Sequence, residues 1–294
     1  KRNMSNLVLD NKVAIITGGG HGLGFEIAKQ FASQGARLLI CGRNSASLKK
    51  ATKILNSLTK RNSCDYLVCD VSVEKDIKSL VKKTLDKYGS ISILVNNAGI
   101  QGDKGKLEEA NINNWKKTIE VNLIGSVLMC KEIIPIFKKN NYGKIIQMSG
   151  GGATQPSPFL SSYAASKAAI VRFIETIAVE LEGSNIDANC IAPGAVNTGM
   201  VDEIIAAGPE IVGKDLYLKS IEQKKNGGAS PEHCANLAVF LASSMSDGIT
   251  GKLISALWDN YRDWPQNIKS LSESDVYTLR RIVGSDRGLD WGDK

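Results

Sequence analysis

The stretch V-A-I-I-T-G-G-G-H-G-L-G, from Val13 to Gly24, decides how this chain begins to fold. Five of the seven residues from 18 to 24 are glycine, and they follow an apolar run that is typical of a buried strand. Ordering glycine costs backbone entropy, so such a cluster is expected only where a turn needs conformations that other residues avoid. An amphipathic segment follows at residues 25–36. We therefore predict a strand, a tight turn and a helix whose free N–H groups face an anionic group.

Beyond this unit, short aliphatic runs alternate with longer segments of helical period, which is typical of βαβ units around a buried parallel sheet. Strands are predicted at residues 12–17, 36–41, 64–69, 91–95, 143–148, 186–191 and 252–256. Helices are predicted at residues 22–34, 45–59, 73–88, 107–140 with a break near 111–114, 161–182 and 231–243. The expected fold is α/β, a single doubly wound Rossmann-type domain with a seven-stranded parallel sheet and helices on both faces.

We expect this domain to span residues 1–256 and to contain a mobile lid at about residues 200–225. The lid segment has a helical pattern that Gly208-Pro209 and Gly213 interrupt. The remaining residues, 257–294, carry three of the four tryptophans, whereas disordered tails are usually poor in aromatic residues. We expect this extension to pack on the body or on a neighbouring subunit.

The distribution of charged residues bears on which partners the protein binds, and the cysteines bear on its compartment. The 37 basic and 30 acidic residues give a net charge of +7, but the basic residues are scattered in pairs on predicted helices, which is typical of solvated faces. We expect neither nucleic acid nor membrane as a partner. The six cysteines are spread out without a C-x-x-C pair or zinc-type histidine spacing, so we expect no metal site and a reducing cytoplasm.

The end of the second predicted strand bears on which dinucleotide is bound. An acidic residue there would bind a ribose 2′-hydroxyl, whereas a cation accommodates a 2′-phosphate. The stretch L-L-I-C-G-R-N contains no acid and places Arg43 directly after Gly42. This favours NADP(H), with NAD(H) as the alternative. His21 lies within the glycine turn, where it could approach the phosphates.

A second pattern concerns proton transfer. Tyr163 and Lys167 are four residues apart on a predicted helix, which places both side chains on one face. A neighbouring ammonium favours the phenolate and lowers the pKa of a tyrosine from its reference of about 10. The pair therefore predicts a phenol that exchanges a proton with a substrate oxygen near neutral pH.

From about residue 10 to 256 the chain resembles the classical short-chain dehydrogenase/reductase family. The resemblance rests on T-G-x-x-x-G-x-G at residues 17–24, C-D-V at 69–71, N-N-A-G at 96–99, V-N-L-I-G at 121–125, Y-A-A-S-K at 163–167 and P-G-A-V-N-T at 193–198. It implies that Tyr163 is the acid/base and that Lys167 lowers its pKa and holds the nicotinamide ribose. It also implies that Asn122 holds a water in a proton relay and that Val196 and Thr198 contact the carboxamide. The cofactor-binding residues expected from the motifs, in addition to Tyr163 and Lys167, are Thr17, Gly18, His21, Gly22, Leu23, Gly24, Arg43, Asp70, Val71, Asn97, Gly99, Pro193, Val196 and Thr198.

The sequence departs from the family where a serine usually stands 13 residues before the tyrosine. That position is Gly150, and the nearest serine is Ser149, which strand alternation would turn away from the cleft. A bulge or glycine-enabled twist could swing Ser149 inward, or Thr154 or the N–H groups of Gly150 to Gly152 could replace it, or catalysis could be impaired. We rank Ser149 first, as the fourth catalytic candidate.

A second departure is the aromatic extension, which could supply Trp258, Tyr261 or Arg262 to the cleft, serve assembly or simply pack on the surface. The function expected is an NADP(H)-preferring oxidoreductase that interconverts a carbonyl and a secondary alcohol on a soluble small molecule. The alternative is a dinucleotide-binding redox sensor or scaffold with little catalysis. The resemblance also implies a homodimer or homotetramer.

Overall fold

The computed structural model describes residues 7–59 and 63–291, in which seven parallel strands form one sheet with the order β3-β2-β1-β4-β5-β6-β7. The seven strands expected from the sequence are all present, which confirms the predicted fold class. Their bounds are β1 Val13–Thr17, β2 Arg37–Gly42, β3 Cys64–Val68, β4 Ile93–Asn96, β5 Gly143–Met148, β6 Ile186–Ala192 and β7 Leu253–Ser255. Strands β1 to β3 follow one another toward one edge of the sheet, and strands β4 to β7 follow one another toward the other edge. A crevice opens between β1 and β4 at the carboxyl ends of the strands, where this order reverses.

Helices cover both faces of the sheet. Their bounds are α1 Gly22–Ser33, α2 Ser45–Thr59, α3 Glu74–Tyr88, α4 Ile112–Ile119, α5 Gly125–Asn140, α6 Ser161–Glu180, α7 Gly199–Ala207, α8 Pro209–Val212, α9 Lys214–Asn226, α10 Pro231–Ala242 and α11 Ile268–Ser272. One core cluster joins α1, α2 and α10 to the sheet, and a second joins α3, α5 and α6 to its other face. Successive residues of β1 divide between the clusters, with Ile16 in the first and Ile15 in the second, as a strand buried on both sides requires.

The helical segments expected at residues 107–140 and 200–225 are both present, and they are interrupted near the positions that the sequence indicated. The helix expected at residues 107–140 is divided, because the Asn111 side chain accepts hydrogen bonds from the N–H groups of Asn113 and Asn114 and starts α4 there. A π-helical turn at Glu120–Ile124 then separates α4 from α5. The segment expected to be a lid consists of the three short helices α7, α8 and α9.

Both outer strands of the sheet have backbone groups covered by other parts of the chain. On β3, the Asn56 amide donates to the Cys64 carbonyl at 3.0 Å and accepts from the Cys64 N–H at 2.9 Å. On β7, the Leu253 N–H donates to the carbonyl of Tyr277 at 2.8 Å, so the C-terminal extension lies along this edge.

The C-terminal extension also contacts the core through its aromatic rings. Tyr261 lies 5.1 Å from Phe240 of α10, measured between ring centroids, and both Tyr261 and Trp264 are buried. Trp258, in contrast, is 84% exposed. Among the helices of residues 7–59 and 63–291, none combines the length and apolar character that a membrane span requires.

Candidate active site

A cleft of about 590 Å³ opens at the carboxyl ends of the strands. It brings together residues from both halves of the sheet, including most of those that the sequence singled out. The expected site residues that line it are Gly18, His21, Gly22, Leu23, Gly24, Arg43, Asp70, Val71, Asn97, Gly99, Ser149, Tyr163, Lys167, Pro193, Val196 and Thr198. Thr17 and Asn122 are not among its lining residues. Both nevertheless hold segments that do line it.

The glycine turn crosses from β1 to the N-terminus of α1. Gly18 and Gly22 have φ angles of 66° and 56°, the left-handed region that favours glycine. A Cβ atom at Gly24 would collide with the carbonyl of Gly18 and with the Asn97 side chain, so glycine is required for this close approach. A Cβ at Gly22 would meet no atom within 4 Å, which leaves the backbone open to the cleft. This cradle beside a helix N-terminus fits a diphosphate.

Thr17 connects the glycine turn to the segment that follows β4. Its hydroxyl oxygen accepts hydrogen bonds from the N–H groups of Asn97 at 3.0 Å and Ala98 at 2.9 Å. The Asn97 side chain in turn donates to the carbonyl of Thr17 at 2.9 Å. The two loops that border the crevice are therefore fixed to each other.

At the end of the cleft beside strands β2 and β3, one basic and one acidic side chain lie among the lining residues. Arg43 is exposed at the end of β2, while Asp70 is partly buried after β3. Partial burial by itself raises the pKa of Asp70, but hydrogen bonds from the hydroxyl and N–H of Ser72, with the charges of Lys117 and Arg43, hold that pKa below its ordinary value. Asp70 is therefore ionised at neutral pH and available as an acceptor.

Asn122 lies in the π-helical turn and is 2% exposed. Its side-chain oxygen accepts from the N–H of Ile100 at 2.8 Å, and its amide group donates to the carbonyl of Ile100 and to the hydroxyl of Ser166, both at 2.9 Å. The side chain therefore clamps the loop after β4 to α6. A π turn inside a helix frequently marks a functional position, because it redirects one side chain.

Tyr163 and Lys167 lie on the first turns of α6 and face the cleft. The Lys167 side chain is buried, and its Nζ donates to the carbonyl of Met148 at 2.9 Å while lying 5.6 Å from the centroid of the Tyr163 ring. Burial lowers the pKa of Lys167 to about 8. Burial also raises the pKa of Tyr163, contrary to the lowering expected from the sequence.

Ser149 and Gly150 follow directly after the last residue of β5. Since Ser149 lies beyond the strand, the alternation of strand side chains does not turn it away, and it lines the cleft. Its Oγ is buried and has no hydrogen-bond partner among the described residues. A Cβ atom added to Gly150 would lie 2.9 Å from the hydroxyl oxygen of Tyr163, so this position faces the tyrosine. Thr154 is exposed and is not among the lining residues.

The helices α7, α8 and α9 cover one side of the cleft. Ile204 of α7 and Val212 of α8 form a small apolar cluster with Leu160, against which Tyr163 packs. An ion pair of 2.9 Å joins Glu203 of α7 to Lys104 of the loop after β4. These contacts connect the covering helices to the helix that carries Tyr163.

Several lining residues were missed by the sequence interpretation. They include Gln101, Met200, Val201, Glu203, Ile204 and Gln223. Gln101 lies two residues beyond the N-N-A-G motif, and the others lie in the expected lid. Their positions next to a motif or within the lid were the only features of the sequence that could have indicated them as site residues. Trp258, Tyr261 and Arg262 of the extension are not among the residues that line the cleft within the described chain.

A parallel sheet with a crevice at its reversal point and a glycine turn at a helix N-terminus defines a dinucleotide-binding α/β protein. Comparison with known proteins narrows this class. The sequence profile of the short chain dehydrogenase family matches residues 12–208. The chain is 36% identical over 254 residues to 3-oxoacyl-acyl-carrier-protein reductase FabG of Chlamydia muridarum, covering 85% of this chain and 97% of the relative.

A second relative is dehydrogenase/reductase SDR family member 4 of Homo sapiens, 32% identical over 246 residues, with 84% of this chain and 86% of the relative covered. The crystal structure of levodione reductase superposes with a TM-score of 0.78 at 25% identity, covering 88% of this chain and 99% of that chain. The chain belongs to the short-chain dehydrogenase/reductase family. It is an oxidoreductase of CH–OH and carbonyl groups that uses a nicotinamide dinucleotide.

Proposed function

We propose that this protein is an NADP(H)-preferring oxidoreductase that interconverts a carbonyl and a secondary alcohol on a soluble small molecule, with Tyr163 as the acid/base. The observation that carries the proposal is the meeting of Ser149, Tyr163 and Lys167 in the cleft that also contains the glycine turn. When bound, the nicotinamide supplies or accepts the hydride. The residues suited to holding the whole dinucleotide are the glycine turn, Asp70, Asn97, Lys167 and the segment from Pro193 to Thr198.

In the direction of reduction, Tyr163 donates its proton to the substrate oxygen. The raised pKa of Tyr163 keeps the phenol protonated at neutral pH, which is the form that a proton donor needs. The ammonium of Lys167, 5.6 Å from the ring centroid, stabilises the phenolate that remains. The unpartnered hydroxyl of Ser149 supplies a hydrogen bond to the same substrate oxygen. The family resemblance assigns this role to a serine at the position that Gly150 occupies in this chain.

The preference for NADP(H) rests on Arg43 and on the absence of an acidic residue in the stretch L-L-I-C-G-R-N-S-A-S-L-K-K, residues 38–50. Arg43 is exposed at the cleft, where its planar guanidinium is suited to a phosphate. We expect Arg43→Ala to lower kcat/KM with NADPH by about 10- to 100-fold, because a charge-assisted hydrogen bond is lost. The value with NADH should change little, and Lys50→Ala on the exposed face of α2 is the matched control.

The test of the activity uses the purified protein with NADPH and NADH in turn and a panel of ketones, sugar ketones and quinones. Oxidation of the cofactor by the wild type that is lost in Tyr163→Phe supports the proposal. Tight cofactor binding with no turnover across the panel would favour the redox sensor instead. A Ser149→Ala variant with the wild-type rate would remove Ser149 from the mechanism.

We further propose that the protein works as a homodimer or homotetramer in a reducing cytoplasm. All six cysteines belong to the part of the chain that the structure describes, where each is buried and free of a disulfide, which suits a reducing compartment. Size-exclusion chromatography with light scattering tests the assembly, and a monomer at micromolar concentration would contradict it. Fractionation of the source cells with an antibody tests the location.

A further inference from the structure

The loop after β4 contains a buried amide that the proposed mechanism does not use. Gln101 is 5% exposed and lines the cleft together with Tyr163 and Ser149. Its Oε1 atom is fully buried and has no hydrogen-bond partner among the described residues. Leaving a buried acceptor without a partner is costly, so such an atom in a native structure calls for an explanation.

The backbone on both sides of Gln101 is held firmly. Asn122 binds both the N–H and the carbonyl of Ile100. Gly102 packs so closely against the hydroxyl groups of Thr118 and Ser162 that a Cβ atom would collide with Thr118. The backbone of Gln101 is therefore held in a fixed position where the residue lines the cleft, as a recognition group requires.

Within residues 7–59 and 63–291, several buried side-chain polar atoms have no hydrogen-bond partner, but only those of Ser149 and Gln101 belong to residues that line the cleft. The proposed function uses the Ser149 hydroxyl for the reacting oxygen of the substrate. One buried acceptor then remains for another part of the same molecule.

We propose that Gln101 binds a second hydroxyl group of the substrate, so that the preferred substrates are hydroxy ketones and the corresponding diols. This inference rests on the proposed function and specifies its substrate class. A hydroxyl can donate to Oε1 and can also accept from the amide N–H, whereas a ketone or ether oxygen cannot donate.

The charges of the cleft distinguish a hydroxyl from other hydrogen-bond donors. An ammonium group could also donate to Oε1, but Lys167 lines the same cleft without an ion-pair partner among the described residues and repels a cation, whereas Asp70 lies with Arg43 at the end beside strands β2 and β3. The carboxylate of Glu203 is paired with Lys104 at 2.9 Å. Met200, Val201 and Ile204 supply apolar surface for the carbon skeleton.

The experiment compares cyclohexanone with 2-hydroxycyclohexanone and 3-hydroxycyclohexanone as substrates of the wild type and of Gln101→Met, a variant of similar size without the amide. We expect the wild type to prefer at least one of the two hydroxy ketones by about tenfold in kcat/KM. Gln101→Met should lose that preference, mainly through a higher KM for the hydroxylated probe, and the readout is the ratio of kcat/KM for the hydroxy ketone to kcat/KM for cyclohexanone within each protein.

Two further variants separate recognition from a general structural effect. Gln101→Glu keeps acceptor oxygens of the same reach and should retain the preference for the hydroxy ketone. Gln223 also lines the cleft, but its amide donates to the Asn197 side chain at 3.2 Å. Gln223→Met should therefore change the rates for all three probes by the same factor.

The outcomes distinguish this inference from the proposed function. Equal preference in the wild type and in Gln101→Met, or no preference for either hydroxy ketone in the wild type, overturns the role of Gln101 while leaving Tyr163-dependent reduction in place. If no probe is turned over in a Tyr163-dependent manner, the proposed function and the inference fail together.

Discussion

A buried lysine lies at each end of strand β5, one within the strand and one on helix α6, and the two lysines differ in whether an ion pair compensates their charge. At the amino end, Lys144 is 1% exposed, and its Nζ forms ion pairs with Asp187 at 2.5 Å and Asp247 at 2.6 Å. At the carboxyl end, the carbonyl of Met148 accepts a hydrogen bond from Lys167, which forms no ion pair with the described residues.

The comparison distinguishes a buried charge that stabilises the fold through ion pairs from a buried charge that is left without an ion-pair partner at the candidate active site. A buried charge is normally paired, because the interior solvates it poorly. Lys144 follows this rule and fixes the start of β5 to its neighbours. Lys167 violates it, and the consequence is a pKa lowered to about 8. Its charge is uncompensated until a group in the cleft develops negative charge, which is what the proposed phenolate of Tyr163 would do.

The largest effect is expected from Lys167→Met. Without the ammonium, the phenolate is no longer stabilised, and kcat/KM for carbonyl reduction should fall by about 10²- to 10³-fold. Stability should move the other way. A lysine pKa lowered by folding destabilises the charged native state below about pH 8, so the variant should gain up to about 3 kcal/mol in unfolding free energy at pH 7.

Steady-state kinetics and urea denaturation at pH 7 measure the two effects together. The gain in stability should shrink as pH rises from about 8 past the unfolded-state value of 10.5, since the wild-type lysine then becomes neutral in both states. A variant that is less stable than the wild type at pH 7 would contradict the comparison.

The next effect concerns the other end of the strand. Lys144→Met leaves Asp187 buried without its cation, which should lower the unfolding free energy by about 3 kcal/mol. Burial already raises the pKa of Asp187, although Lys144 and the N–H of Gly248 oppose that rise. Activity per folded molecule should match the wild type at low temperature. Urea titration monitored by tryptophan fluorescence measures the loss, and an unchanged midpoint would remove the distinction between the two lysines.

The pH dependence of the wild type sharpens the role of Lys167. Its ammonium is lost as pH rises through about 8, so kcat/KM for reduction should be level below that pH and fall by up to tenfold for each pH unit above it. In Lys167→Arg the guanidinium stays charged, and whatever activity remains should show no fall near pH 8. The same descending limb in both proteins would assign it to another group.

The smallest effect is expected from Gly150→Ala. The new Cβ would lie 2.9 Å from the Tyr163 hydroxyl oxygen, so either the ring or the loop must shift by a few tenths of an ångström. We expect kcat to fall by about tenfold, since small displacements of an acid/base are costly. Gly151→Ala is the matched control, because a Cβ there would meet no atom within 4 Å. Equal rates in both variants would show that the crowding at position 150 does not matter.

The sequence predicted the fold closely because the signals were local. Each strand is a short aliphatic run bounded by turn residues, and a strand buried on both faces has to be apolar along its length. The division of the helix at residues 107–140 was also marked, since Asn111 is a helix-capping residue. The π turn at Glu120–Ile124 carries no comparable pattern, because it depends on how Asn122 meets the loop at Ile100.

The sequence predicted the site residues that belong to recognisable motifs, but not the orientation of their side chains. Four-residue spacing placed Tyr163 and Lys167 on one helix face, but it could not show that the lysine amine is directed to the carbonyl of Met148. The orientation of Ser149 depends on where β5 ends, which is a property of the whole sheet. Gln101 has no motif of its own, and its burial results from contacts between segments distant in the chain.

The covered edges of the sheet bear on how copies of this protein can associate. An outer strand with free N–H and carbonyl groups is a template for pairing with another chain and for aggregation. Here the Asn56 amide occupies the backbone of Cys64 on one edge, and the extension at Tyr277 occupies that of Leu253 on the other. Deleting the extension should therefore unmask a site for strand addition, with loss of solubility as the visible result.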